Sequence, residues 1–219
     1  TFDTKRDASA WLDDGFDNGF DVAVEVAPDP VLMDYAEVWL RDRDLKPRTL
    51  AHYRTLLDKL ILPTLGAHRL SKLSPTLVRA WYAGLDRDKA TTRAHAYGLL
   101  RAVLGTAVND DLIASNPCRV EKATAVKRKH DVRPATLPEL SAIVAAMPAR
   151  YRTMVLLAAW CGLRFGELTE LRRSDVDLDL EAARGVLHVR RAVVRVGGEV
   201  IVGEPKSAAG VRTVAIPPH

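Results

Sequence analysis

Between residues 31 and 107 the apolar side chains return every three or four positions, and that period, kept through four separate stripes, admits helices and little else. The first stripe is Leu32, Tyr35, Ala36, Trp39 and Leu40, with Pro30 at its start and Lys46-Pro47 breaking it. The second runs from Pro47 to Ile61 with Leu50, Tyr53, Leu56, Leu57 and Leu60 on its buried side, and Pro63, Gly66 and residues 70–73 read as a connector. Ser74 caps a third helix with Pro75 in its first turn, and Leu77, Val78, Trp81, Tyr82 and Leu85 make its stripe. The fourth carries Thr92, Ala96, Leu99, Leu100, Val103, Leu104 and Ala107 toward Asn109, and Asn116-Pro117 ends the unit. Four amphipathic helices on short connections can close a core of their own, so residues 29–119 are expected to form a compact all-α domain.

The second half changes period. Thr136, Pro138 and Glu139 open a helix whose apolar side is Leu140, Ile143 and Val144. Residues 151–160 are nearly all apolar and are expected at the centre of a second domain. Gly162 ends that helix, a further helix runs from Arg164 to Leu171, and Ser174-Asp175 opens a loop. From Val186 the apolar residues alternate. Residues 186–189 lead into 192–196, Gly197-Gly198 supplies a tight hairpin turn, residues 199–202 return, and residues 211–216 add a third strand after the Gly203–Gly210 loop. The fold class that follows is mainly α with a small antiparallel three-stranded sheet. A sheet with nothing after it to cover one face is the pattern of a chain that stops inside a domain.

Charge divides the chain unevenly. The formal net charge is +4, yet residues 1–29 hold two basic and eight acidic side chains, so the remaining residues carry about +10. Residues 1–28, rich in Asp and Gly after a short helix over 4–11, read as the end of another module and a linker. Residues 120–135, with Lys122, Lys127, Arg128, Lys129 and Arg133, read as a basic interdomain linker suited to a phosphate backbone. Arg48, Thr49, His52, Lys72, Arg93 and His95, on helix faces turned from the first core, are further candidates for DNA contact. Cys118 and Cys161 have no second cysteine or histidine at ligand spacing, so no metal site is expected. With no secretory leader and no apolar run long enough to span a bilayer, a reduced intracellular protein is expected.

Two positions carry candidate chemistry. Arg164 opens a helix with Glu167 one turn on, which would let the carboxylate hold a guanidinium fork facing a phosphate. On spacing alone the pair also fits a structural ion pair. Lys206 sits among small residues in a loop between two strands, placed to reach outward or to be an ordinary surface lysine.

The run Trp160-Cys161-Gly162-Leu163-Arg164-Phe165-Gly166-Glu167-Leu168-Thr169-Glu170-Leu171, followed by Ser174-Asp175-Val176, closely resembles the first catalytic-arginine motif of the tyrosine recombinase (phage integrase) family. Pro205-Lys206-Ser207 to Arg212-Thr213-Val214-Ala215-Ile216-Pro217 resembles that family's catalytic-lysine hairpin. The likeness covers about residues 29–219, while residues 1–12 resemble the tail of an arm-site-binding module.

The resemblance implies a helical core-binding domain at 29–119, followed by a partial mixed α/β catalytic domain at 136–219, the two clamping a duplex crossed by the basic linker. It implies site-specific DNA recombination, the integration and excision of a phage or mobile element, through a covalent 3′-phosphotyrosyl intermediate. Arg164 would bind the non-bridging oxygens of the scissile phosphate, Glu167 would support it, and Lys206 would protonate the leaving 5′ oxygen. The implied partners are double-stranded attachment core sites and a tetramer of the full-length protein. The implied setting is the cytoplasm and nucleoid of a bacterial host, with no cofactor or metal. The chain departs from the family in having no second arginine motif, no subsequent histidine or tryptophan, and no tyrosine at the nucleophile's place. Tyr35, Tyr53, Tyr82, Tyr97 and Tyr151 all fall in predicted helices upstream, and His219 has no matching motif around it. Duplex binding without completed cleavage is therefore expected. Two other functions remain open at this point, a non-catalytic DNA-binding accessory protein and a helical protein-interaction module.

Overall fold

The computed structural model describes residues 29–126, 132–179 and 181–217. The predicted helix and linker within 1–28, the cations Lys127, Arg128 and Lys129, and His219 lie outside the described residues. The architecture is mainly helical with small antiparallel sheets, arranged as two lobes, each with its own apolar cluster.

The first lobe begins with α1, Leu32–Arg41, whose Leu32, Ala36, Trp39 and Leu40 are buried at the predicted spacing. Its entry is pinned by Asp29, whose carboxylate accepts the Ser71 N–H at 3.0 Å and the Ser71 hydroxyl at 2.7 Å. Helix α2, Pro47–Leu56, does not end at the expected connector. It continues through a π-helical turn, Leu57–Ile61, into α3, Leu62–Leu65. Pro63 has no N–H for the Lys59 carbonyl, and its ring would strike that carbonyl in a regular helix; the widened turn before it lets the chain carry on. One expected core residue is misplaced: Leu50 is 41% exposed, because the face that α2 buries is carried by Leu56, Leu57 and Ile61 further along.

Helices α4, Pro75–Gly84, and α5, Ala90–Asn109, complete this lobe, with the Ser74 hydroxyl accepting the Leu77 N–H at 3.2 Å as the expected cap. Buried polar tips find partners: Trp81 donates to the Leu60 carbonyl at 2.7 Å and Trp39 to the Thr106 hydroxyl at 2.8 Å. The first core extends past residue 119. Cys118 and Ala123 are buried in it, and the Val120 N–H donates to the Tyr97 hydroxyl at 2.7 Å. The start of the basic segment is thus docked on the helical lobe.

The second lobe opens on a capping box in which the Glu139 carboxylate accepts the Thr136 N–H at 2.8 Å. Helices α6, Leu137–Ala146, and α7, Ala149–Cys161, follow. The expected central burial of α7 is not what forms: it has no buried residue, and Trp160 is 41% exposed. Of its side chains, Leu157 and Cys161 lean on the small cluster around Leu163, Leu187 and Val189. Gly162, at a left-handed φ of +62°, stops α7 as expected. Helix α8 is one turn, Phe165–Leu168, shorter than predicted, and Ser174-Asp175 lies in a 3-10 turn, Arg173–Asp175, rather than a loop.

The single predicted sheet is also corrected. Strands β1, Val176–Asp179, β2, Arg184–Val189, and β5, Arg212–Ile216, form one antiparallel sheet in the order β1-β2-β5. Strands β3, Ala192–Val196, and β4, Glu199–Gly203, form a separate hairpin that turns at Gly197 and Gly198, both at positive φ. Buried Asp175 separates the two. It accepts from Arg190 at 3.0 Å and from Arg191, so the chain leaves the sheet between β2 and β3 and leaves the edge of β2 for β5.

Candidate functional site

Arg164 is the N-cap residue of α8, with extended backbone at φ −72° and ψ 151°. Its own N–H donates to Glu167 Oε2 at 2.9 Å and its guanidinium to Oε1 at 3.0 Å. Glu167 is buried, whereas the Arg164 side chain is 64% exposed and faces outward from its anchor. A second cation meets the same carboxylate from the start of β5: Arg212 donates to Oε1 at 3.1 Å and Oε2 at 2.9 Å. This fork, followed by the Arg164 bonds, holds the Glu167 carboxyl down at about 2 despite burial, so it stays an anion that fixes two arginines. Helix α8 can come close to β3 because residue 166 is glycine: a Cβ there would lie 2.5 Å from the Val193 carbonyl oxygen.

Lys206 is exposed on the loop between β4 and β5. The loop packs on itself, since Pro205 and Gly210 are buried and a Cβ at Gly210 would lie 2.4 Å from Pro205 Cβ. Its turn is closed by Gly210 N–H donating to the Ser207 carbonyl at 2.8 Å and Val211 N–H to that of Ala208 at 3.1 Å.

Lys206, Arg164 and Glu167 share one cleft of about 910 Å3 with Arg48, Thr49 and His52 of α2. The cleft thus lies between the lobes, and with Glu167 already matched by Arg212 its lining sets one further carboxylate, Glu204, against four cations, Lys46, Arg48, Arg164 and Lys206, so its net charge is positive. The edge of the His95 ring meets His52 at 5.4 Å between centroids, extending this face onto α5. The other predicted contacts sit elsewhere. Arg93 lies over the Tyr82 ring at 4.4 Å and donates to the Tyr82 carbonyl at 3.1 Å. Lys72 is near the Asp29 carboxylate, and Arg133 forks the Glu139 carboxylate at 3.0 and 2.6 Å. Sequence reasoning missed Arg212 as the second anchor of Glu167, and it read Lys46, which lines the cleft, only as part of a helix break. An exposed planar guanidinium and an ammonium on one cleft suit a phosphodiester. Among the described residues, no group of three or more histidine, cysteine or acidic side chains is placed to hold a metal ion, and no helix is long and apolar enough to cross a membrane.

The family model for the phage integrase N-terminal SAM-like domain matches residues 31–85. The chain is 51% identical to the prophage phiRv2 integrase of Mycobacterium tuberculosis over 225 residues, covering 100% of this chain and 59% of that protein. It is 41% identical to the integrase of Mycobacterium phage L5 over 228 residues, covering 100% of this chain and 60% of that one. The chain therefore spans about three fifths of the length of these curated relatives. Among solved structures, the Tn1549 transposon integrase in complex with a circular intermediate DNA superposes with a TM-score of 0.67 at 21% identity, over 85% of this chain and 61% of that one. A lambda integrase dimer bound to a COC' core site gives 0.62 at 21% identity, over 92% and 58%. These two likenesses establish the fold of both lobes together.

Proposed function

This chain belongs to the tyrosine recombinase (phage integrase) family, and on that premise we propose that it is the core-binding lobe and the first part of the catalytic lobe of a site-specific DNA recombinase. The observation that carries the reading is the shared cleft, in which Arg164, held by the Glu167 carboxylate, and Lys206 face the polar side of α2. A duplex is the partner, a core attachment site held between the lobes; among the similar structures, a lambda integrase dimer is bound to a COC' core site and the Tn1549 transposon integrase is in complex with a circular intermediate DNA. Residues 120–135 cross the duplex as a basic connection, and residues 1–28 end an arm-binding module.

In the reaction, a tyrosine hydroxyl supplied by the parent protein outside this chain gives up its proton to solvent as its oxygen attacks the scissile phosphorus. The bond from phosphorus to the 5′ oxygen breaks as the bond to the tyrosine oxygen forms, giving a 3′-phosphotyrosyl ester and a free 5′ hydroxyl. Arg164 donates to the non-bridging oxygens, where charge grows, and the Glu167 anion keeps its fork from collapsing. Lys206 gives its proton to the departing 5′ oxygen. Three of the five tyrosines in this chain are otherwise employed: Tyr35 donates to Asp110 at 2.6 Å, Tyr82 donates to the Ala123 carbonyl at 3.1 Å, and Tyr97 accepts from Val120. A tetramer on two duplexes completes strand exchange, in the cytoplasm and at the nucleoid of a bacterial host.

Equilibrium binding of the 219-residue chain to a core-site duplex across a salt series tests the partner. Tight binding that weakens steeply with salt is expected, because each phosphate contact releases a counterion. Weak retention with a flat salt response would overturn the DNA partner in favour of a protein-interaction module.

A further inference from the structure

Lys46 reaches across from the first lobe into the second. Its ammonium donates to the Lys206 carbonyl at 3.1 Å and to the Pro205 carbonyl at 3.4 Å. It is the N-cap residue of α2, and Pro47 behind it restricts its backbone to the extended conformation seen there. The two carbonyls it meets belong to successive peptide units, one on each side of the Lys206 Cα. Holding both units fixes the direction in which the Lys206 side chain leaves the backbone, and a long flexible lysine is aimed only as well as its Cα is held.

We propose that Lys46 is a positioning residue for Lys206, so that closing the two lobes and presenting the leaving-group lysine are a single event. The inference rests on the reading of Lys206 given above. With the lobes apart, the loop has its own internal turn but loses the cation that ties it to α2. With the lobes closed, Arg164, fixed by Glu167 within the second lobe, and Lys206, fixed partly by the first, face the same cleft. An enzyme built this way withholds its acid from a phosphate it has not clamped.

The test is hydrogen exchange by mass spectrometry on the 219-residue chain, comparing the native protein with Lys46→Met and Lys46→Arg. The Gly210 and Val211 amides, bonded to Ser207 and Ala208, report loop order. Lys46→Met is expected to speed their exchange about fivefold, the effect of losing one net hydrogen bond, and Lys46→Arg, which can still donate to both carbonyls, restores protection. Lys46 is exposed, so α5 and the β1-β2-β5 sheet are expected to keep native exchange in both variants, which separates loss of the contact from unfolding. A short acylation pulse gives the second readout, with Lys206 modified faster in Lys46→Met than in Lys46→Arg. Unchanged exchange and acylation in Lys46→Met overturn the proposal, as does an arginine variant no better protected than the methionine one. Neither readout requires strand cleavage, so a failure of Lys206 as an acid would appear in cleavage kinetics and not here.

Discussion

Glu167 is the residue on which the candidate site turns, since one buried carboxylate holds Arg164 toward the cleft and Arg212 behind it. Replacing it by Gln keeps the shape and removes the charge, leaving Arg212 facing a neutral amide. Glu167→Gln is expected to lower stability by about 2 kcal/mol, read by calorimetry or urea unfolding. Because the folded carboxyl titrates at about 2, below its ordinary value of 4.5, its contribution is complete above that ordinary value and is lost as pH falls toward 2. The native protein should therefore lose stability over that window more steeply than Glu167→Gln; parallel acid limbs would remove Glu167 from this role. Arg164 and Glu167 were legible as a pair because a helical turn separates them. Arg212 was not, because its bond to Glu167 spans 45 positions and depends on β5 pairing with β2, which no local pattern encodes.

Elements were legible wherever a helix or hairpin is specified by its own residues. The stripes of α1, α4 and α5, the Ser74 cap, the Thr136–Glu139 box and the Gly197-Gly198 turn all form where periodicity and turn chemistry put them. What failed was whatever depends on a distant partner. Alternation in β3, β4 and β5 looked like one sheet because the pattern cannot say which edge a strand joins, and buried Asp175, which splits them, looked like a loop residue. The apolar run of α7 promised a central helix because hydrophobicity reports a face to be covered, not what covers it. Two substitutions test the elements that position the site. Gly166→Ala, forced against the Val193 carbonyl oxygen, is expected to cost about 1–3 kcal/mol and to weaken duplex binding by displacing Arg164; native stability and affinity would show that α8 has room to move. Ser74→Ala is expected to cost about 1 kcal/mol with duplex affinity unchanged at saturating protein, since the cap it removes lies away from the cleft.

At the scale of the whole molecule, the proposed function depends on two lobes meeting across a cationic cleft, and composition alone gave only a basic body behind an acidic leader. The predicted contacts on α2 gather in the cleft beside Arg164 and Lys206, whereas Arg93 and Arg133 are spent on partners within their own lobes. Arg48→Ala is accordingly expected to lower the slope of log affinity against log salt by about 1, the loss of one phosphate contact, while Arg133→Ala leaves the slope as it is. The reverse ranking would move the duplex off the cleft. The central claim, that Arg164 and Lys206 act on one scissile phosphate, is tested most directly by covalent adduct formation between the full-length parent protein and a nicked core-site duplex. Adduct formation is expected to fall about 100- to 1,000-fold in Arg164→Ala and in Lys206→Ala, with each variant still folded and still bound to the duplex. Native rates of adduct formation in either variant would contradict it.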